Sequence, residues 1–256
     1  ELSKLWSHEP HSYLRFRPGD KVSEIDAEAT PGFTGSKSDA PALAAERGER
    51  FAGLQEMLYA NSRSGDRRSV LLVLQGMDTA GKGGIVKHVV GAGNPQGIQY
   101  TSFGKPTPEE LSHHYLWRIN KALPSAGHIG VFDRSHYEDV LIVRVHNLVP
   151  PDVWGARYDE INTFERELVD AGTTIVKVAM FVSLDEQKQR LADRLDRPDK
   201  YWKYNPSDLD ARSKWSDYMD AYNDLLSKCN PDVAPWYIIP ADHKWYRNWA
   251  VGRILL

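Results

Sequence analysis

Residues Gly76-Met77-Asp78-Thr79-Ala80-Gly81-Lys82-Gly83 carry the spacing G-x-x-x-x-G-K, two glycines bracketing four residues with a lysine directly after. That spacing suits the capture of phosphate. Glycines let the backbone curl so that N–H groups along Gly76, Thr79, Ala80, Gly81 and Gly83 turn inward, and a helix starting at Lys82 adds partial positive charge. The Lys82 ammonium is expected to reach the outer phosphates. A glycine-rich turn that only packs a strand on a helix is the structural alternative. The sequence on either side favours the anion, because a buried-type strand precedes the loop and a helix follows it.

The serine or threonine that commonly follows such a lysine and holds Mg²⁺ is missing, since Gly83 stands there. Asp78, inside the loop, is the expected substitute: its hard carboxylate oxygen suits Mg²⁺, and without a cation it would repel phosphate. Its bland role would be to stabilise the turn. Asp133 ends a second apolar run, Ile129-Gly130-Val131-Phe132, and the carboxyl ends of adjacent strands in a doubly wound sheet line one crevice. Asp133 should therefore face Asp78 and share the metal, while Arg134 supplies positive charge to a phosphoryl group in flight. As an isolated Asp-Arg pair this signal has little specificity.

Arg190, Arg194 and Arg197 fall on one helical face, and Lys200 and Lys203 continue the basic stripe. Asp193, Asp196 and Asp199 interleave with them, so a solvated face of surface ion pairs is the competing reading. The neighbouring loop and carboxylates favour a phosphate-facing lid over about 190–212. His113 and His114 point apart on a helix and have no companions at zinc spacing. Trp202, Trp215, Trp236, Trp245 and Trp249 read as core rather than base-stacking platforms, and Cys229 lacks a base that would make it a nucleophile.

The elements that must position these groups alternate. The unbroken run Val70-Leu71-Leu72-Val73-Leu74 predicts a strand covered on both faces. Strands follow at 98–103, 129–133, 174–184 and 236–239, with helices from Lys82, over 108–123, over 158–171, from Ser183, over 207–228 and from His243. Ser183 and Glu186 match a capping box, and Pro198 ends that helix. Residues 1–40 read as an extended arm of the kind that wraps a neighbouring subunit, ahead of a leading helix over 41–60. The expected fold is α/β: a P-loop kinase-like three-layer sandwich with a central parallel sheet and a helical lid, its catalytic domain over 61–256 and the arm and leading helix over 1–60.

A chain of 256 residues that is 41% hydrophobic and 26% charged can bury a full core. A net charge of -3 gives no sign of nucleic-acid or membrane binding, so any anion site must be local. No apolar run reaches the ~18 residues of a membrane span. One cysteine agrees with a reducing, cytoplasmic location.

Together, Gly76 to Gly84, the string Phe132-Asp133-Arg134-Ser135-His136-Tyr137-Glu138 and the string Trp202-Lys203-Tyr204-Asn205 resemble the polyphosphate kinase 2 family. The likeness extends to residues 26–35 and to Pro235-Trp236-Tyr237-Ile238-Ile239-Pro240-Ala241-Asp242, and so covers most of the chain. It implies Mg²⁺-dependent phosphoryl transfer between inorganic polyphosphate and nucleotides, ADP/ATP, AMP and guanine nucleotides among them. It further implies Asp78 and Asp133 on metal, Lys82 and Gly84 at phosphate, Arg118, Arg134 and Arg144 as anion contacts, and a homo-oligomer, dimer or tetramer. The closing segment and His136-Tyr137-Glu138 look most like members that phosphorylate nucleoside monophosphates and diphosphates alike. An ATP-dependent nucleotide or nucleoside kinase of the same fold is the rival enzyme, and a nucleotide-binding regulatory module is the rival of another class. The module is disfavoured because Asn120-Lys121 is followed by Ala122-Leu123, not by the x-Asp of a guanine signature.

Overall fold

The computed structural model describes residues 2–256. In chain order the main elements are α1 (Ala40–Ser62), β1 (Ser69–Gly76), α2 (Lys82–His88), β2 (Ile98–Ser102), α3 (Trp117–Lys121) and β3 (Ile129–Asp133). They continue with α4 (Pro151–Asp170), β4 (Thr173–Phe181), α5 (Leu184–Asp196), α6 (Ser207–Ser213), α7 (Trp215–Lys228), β5 (Trp236–Pro240) and α8 (Lys244–Leu255). The five strands form one parallel sheet in the order β2-β3-β1-β4-β5. Helices cover both faces, as the unbroken apolar run of β1 requires: Leu71, Leu72, Val73 and Leu74 are all fully buried. Leu71 and Val73 pack with Phe132, Tyr158 and Tyr222 on one face, and Leu72 and Leu74 with Ile85, Phe51 and Trp249 on the other.

From β1 the chain goes to one side for β2 and β3, then crosses to the other side for β4 and β5. The carboxyl end of β1 is thus the switch point, where loops on either side diverge and leave a crevice. Leu74 pairs with Asp133 across β1 and β3, and Gly76 pairs with Met180 across β1 and β4, so the glycine-rich loop that follows Gly76 emerges at that crevice.

Three expectations change. The helix over 108–123 splits into Pro108–Leu111 and α3, because His114 Nδ1 accepts the Leu116 amide (3.3 Å) and His113 stacks on Trp117 at 4.0 Å. The helix over 207–228 breaks at Lys214 (φ -102°, ψ 25°) into α6 and α7. Of the tryptophans, Trp236 and Trp249 are core, but Trp202 is 78% exposed.

The arm lies along its own chain. Trp6 and Phe33 pack on Trp249 with ring centroids 5.8 and 5.0 Å away, and Arg253 pairs with Glu9. Arg15 bridges Tyr237 in antiparallel fashion, and the Phe16 amide donates to Trp236 O (2.8 Å), covering the outer edge of β5. Cys229 is fully buried, and burial pushes its thiol up to about 12, which removes it as a nucleophile.

Candidate active site

The loop after β1 is shaped from behind. Gln187 Nε2 donates to Asp78 O (3.1 Å), Arg190 Nη1 to Thr79 O (2.9 Å) and Arg247 Nη1 to Ala80 O (3.2 Å). Carbonyl and N–H of a trans peptide point in opposite directions, so the amides of Thr79 and Gly81 face away from these donors. The Ala80 amide instead closes the turn on Met77 O at 3.0 Å. Thr79 (φ 76°) and Gly81 (φ 113°) are both left-handed. At Gly81 the glycine is also dictated by space, since a Cβ would lie 1.7 Å from Arg247 Nη1. Lys82 is buried and folds back to donate to Gly76 O (2.8 Å), so it spans the loop. The Thr79 hydroxyl is buried without a partner among the described residues, which suits a loop built to receive hydrogen-bond acceptors.

Asp78 Oδ1 accepts from Arg134 Nη2 at 2.9 Å. Burial would raise the Asp78 carboxyl, but the charges of Lys82 and Arg134 and a hydrogen bond with Asp208 hold it below the usual carboxylate range. Asp208, in the first turn of α6, is buried and salt-bridged to Arg194 Nη1 (2.7 Å). Burial, followed by the negative charge of Asp78, pushes its carboxyl up to about 6, so Asp208 is the one of the two acids that takes up a proton first as pH falls. Asp133 ends β3 and accepts from the Tyr100 hydroxyl at 3.2 Å. Arg134 follows with φ 63°, its amide bound to Leu74 O (3.1 Å). Burial opposes the Arg134 charge, yet Glu138, Asp78 and Asp133 outweigh it and raise the guanidinium above the ordinary arginine range. At the switch point Arg134 thus binds Asp78 and also feels the charge of Asp133.

Between the loop and helices α6 and α7 lies a cleft of 160 Å³, lined by Gly76, Asp78, Arg134, Glu138, His146 and Tyr218 among others. Its floor is braced: Gln75 Nε2 donates to Glu138 Oε1 (2.8 Å), and Ser135 Oγ donates to Gln75 Oε1 (2.9 Å). A larger, shallower hollow of 590 Å³ lies between α3 and α4, lined by His114, Glu160 and Glu167 among others, and includes none of the phosphate-loop residues.

The remaining candidates divide. Arg118 sits beyond β2, donating to Gly104 O (2.9 Å) over the Phe103 ring. Arg144 is engaged away from the loop, paired with Asp224 and lying over Trp154. Arg190 does not join a lid stripe but holds Thr79 O, Ala241 O and Asp242 O. Arg194 binds Asp208 and Lys203 O, and Arg197 makes the surface ion pair with Asp199 that the bland reading expected. Lys203 is exposed, and Lys200 is partly so. Gly83 and Gly84 open α2; a Cβ on Gly83 would meet open space, one on Gly84 would strike Arg247 Nη2 at 2.4 Å. The Ser183–Glu186 capping box is half formed: Ser183 Oγ accepts the Glu186 amide (3.2 Å), while the Glu186 carboxylate binds Arg190. Sequence reasoning missed Asp208, which looks like any acid in a helix's first turn, and Arg247, which lies 167 residues from the carbonyl it holds.

The family model described as Polyphosphate kinase 2 matches residues 36–256. An AMP/ADP-polyphosphate phosphotransferase of Meiothermus ruber is 46% identical over 92% of this chain and 87% of its own length. An ADP-polyphosphate phosphotransferase of Rhodopseudomonas palustris is 43% identical over 81% of this chain and 74% of its own. The crystal structure of polyphosphate kinase 2 from Arthrobacter aurescens superimposes with a TM-score of 0.95 at 52% identity, over 98% of this chain and 88% of that one. With the family model, these relatives and the superimposed fold all in agreement, the chain belongs to the polyphosphate kinase 2 family.

Proposed function

We propose that the protein transfers a terminal phosphoryl group between inorganic polyphosphate and a nucleoside mono- or diphosphate, with Mg²⁺ as cofactor. The observation that carries this reading is Arg134 bound to Asp78 in the glycine-rich loop and under the charge of Asp133 at the end of β3, in a chain whose relatives bear polyphosphate phosphotransferase names.

The loop amides and Lys82 hold one polyanion while the second enters the adjoining cleft beneath the lid. The acceptor oxygen is already ionised, so no general base is required and the chain's task is to align the reactants and neutralise charge. Arg134, held by Asp78 beside the loop, balances charge on the equatorial oxygens of the transferring group. Transfer is in line, with no covalent enzyme intermediate. Lys200 and Lys203 on the lid extend the positive field along a chain of phosphates.

Asp78 and Asp133 would hold Mg²⁺, and their hard oxygens fit it. No group of three or more His, Cys, Asp or Glu is poised to hold a metal among the described residues, in keeping with an ion whose other ligands are phosphate oxygens and water. When bound, the ion supplies charge neutralisation between the two phosphates.

The test is a donor assay: AMP with polyphosphate and Mg²⁺ but no ATP should yield ADP, and ADP should yield ATP. Turnover only with ATP as donor would replace this reading with an ordinary nucleotide kinase. Tight nucleotide binding without turnover from any donor would replace it with a regulatory module. Parallel assays with GMP and GDP define the base range, and sedimentation distinguishes the dimer or tetramer we expect from a monomer.

A further inference from the structure

The three donors behind the loop are not equivalent. Gln187 is neutral, and Arg190 carries its own counter-ion, Glu186 Oε1 at 2.7 Å from Nε. Arg247, 3% exposed on α8, donates to Ala80 O and to Asn248 Oδ1 (Nε 3.2 Å, Nη2 3.0 Å), both neutral acceptors. Burial, and then the charge of Arg190, lower its guanidinium to about 10, which leaves it cationic at neutral pH. A buried cation whose hydrogen bonds reach no carboxylate is costly to keep. The loop is nevertheless shaped around it, since any side chain at Gly81 or Gly84 would collide with the guanidinium.

Resting on the phosphate-loop reading above, we propose that Arg247 is a positioning residue for the polyphosphate chain. Its bond to Ala80 O fixes the Ala80–Gly81 peptide so that the Gly81 N–H faces the substrate, and its unneutralised charge is met by the polyanion across the loop. Arg247 touches no reacting atom. It acts only through the loop, so, with the phosphate chain assigned by this proposal to the loop and the acceptor nucleotide to the adjoining cleft, it should govern the first and leave the second unaffected.

Arg247→Met and Arg247→Lys are compared with the wild type in tripolyphosphate binding by calorimetry and in KM for polyphosphate and for AMP. Removing a charged hydrogen bond of this kind should weaken tripolyphosphate binding by about 10- to 100-fold in Arg247→Met. KM for polyphosphate should rise in step, and KM for AMP should stay as in the wild type. Arg247→Lys keeps the charge but loses the fork, and should fall between the two. Should Arg247→Met fail to fold, Arg247→Lys alone carries the test. Unchanged tripolyphosphate affinity in a folded variant, or equal losses for both substrates as general damage would cause, overturns the proposal. A wild type that binds no tripolyphosphate overturns instead the loop reading beneath it.

Discussion

Arg134 Nη2 lies 2.9 Å from Asp78 Oδ1, joining the residue after β3 to the phosphate loop after β1. Both side chains keep some solvent contact, 40% and 25% exposed, so the pair contributes little to stability. On the proposed reading its value is positional: the guanidinium is held where phosphoryl charge would develop. Arg134→Ala should lower kcat by roughly 10²- to 10³-fold, the usual cost of losing one preorganised charge donor. Thermal denaturation should be nearly unchanged. A large drop in melting temperature alongside the kinetic loss would assign Arg134 to the fold instead.

Asp78→Asn keeps the size and the acceptor oxygen toward Arg134 while removing the charge proposed to hold Mg²⁺. Turnover should fall by roughly three orders of magnitude, as expected when several kcal/mol of metal-borne charge stabilisation is lost. Mn²⁺ binding, followed by electron paramagnetic resonance, should weaken in parallel. Near-normal turnover at ordinary Mg²⁺ concentrations would refute the metal role.

Beneath the cleft, Lys177 Nζ donates to Glu165 Oε2 (2.7 Å), Tyr137 OH (2.8 Å) and Cys229 O (2.8 Å), all out of reach of solvent. Burial would raise the Glu165 carboxyl, but Lys177 and His136 hold it below its ordinary value. Lys177→Met should therefore cost on the order of 3–5 kcal/mol in urea unfolding, because it strands a buried carboxylate. Adding Glu165→Gln should recover much of that loss. Strictly additive costs in the double-mutant cycle would show that the two groups are not coupled.

Those contrasts mark what the chain discloses locally. The run over Val70 to Leu74, the glycines and Lys82 are read from neighbours within a few residues, and Asp133 from its place at a strand end, so all were legible. Arg190, by contrast, shows the helical spacing of a lid stripe, but its guanidinium reaches Thr79 O, 111 residues away. No periodicity encodes that contact. Asp208 and Arg247 were invisible for the same reason, their roles arising only where the lid and the last helix close over the loop. The arm's own packing was hidden as well, since Trp6 and Phe33 meet Trp249 far along the same chain.

The Asp208 carboxyl, pushed up to about 6 by burial and by Asp78, gives the lid contact a pH dependence of unusual sign. An acid whose folded pKa exceeds its unfolded value binds more protons in the native state, so stability falls as pH rises between the two values. For Asp208 that window runs from the ordinary aspartate value of 3.8 to about 6, and above it both Asp78 and Asp208 are ionised at close range. Asp208→Asn cannot ionise, still offers an oxygen to Arg194, and can donate permanently to Asp78. Its melting temperature should approach that of the wild type near the acid end of the window and exceed it increasingly toward neutrality. Asp139, also raised to about 6, titrates in the same range but is common to both proteins and cancels in the difference. A gap in melting temperature that stays constant with pH would mean that no proton bridges Asp78 and Asp208.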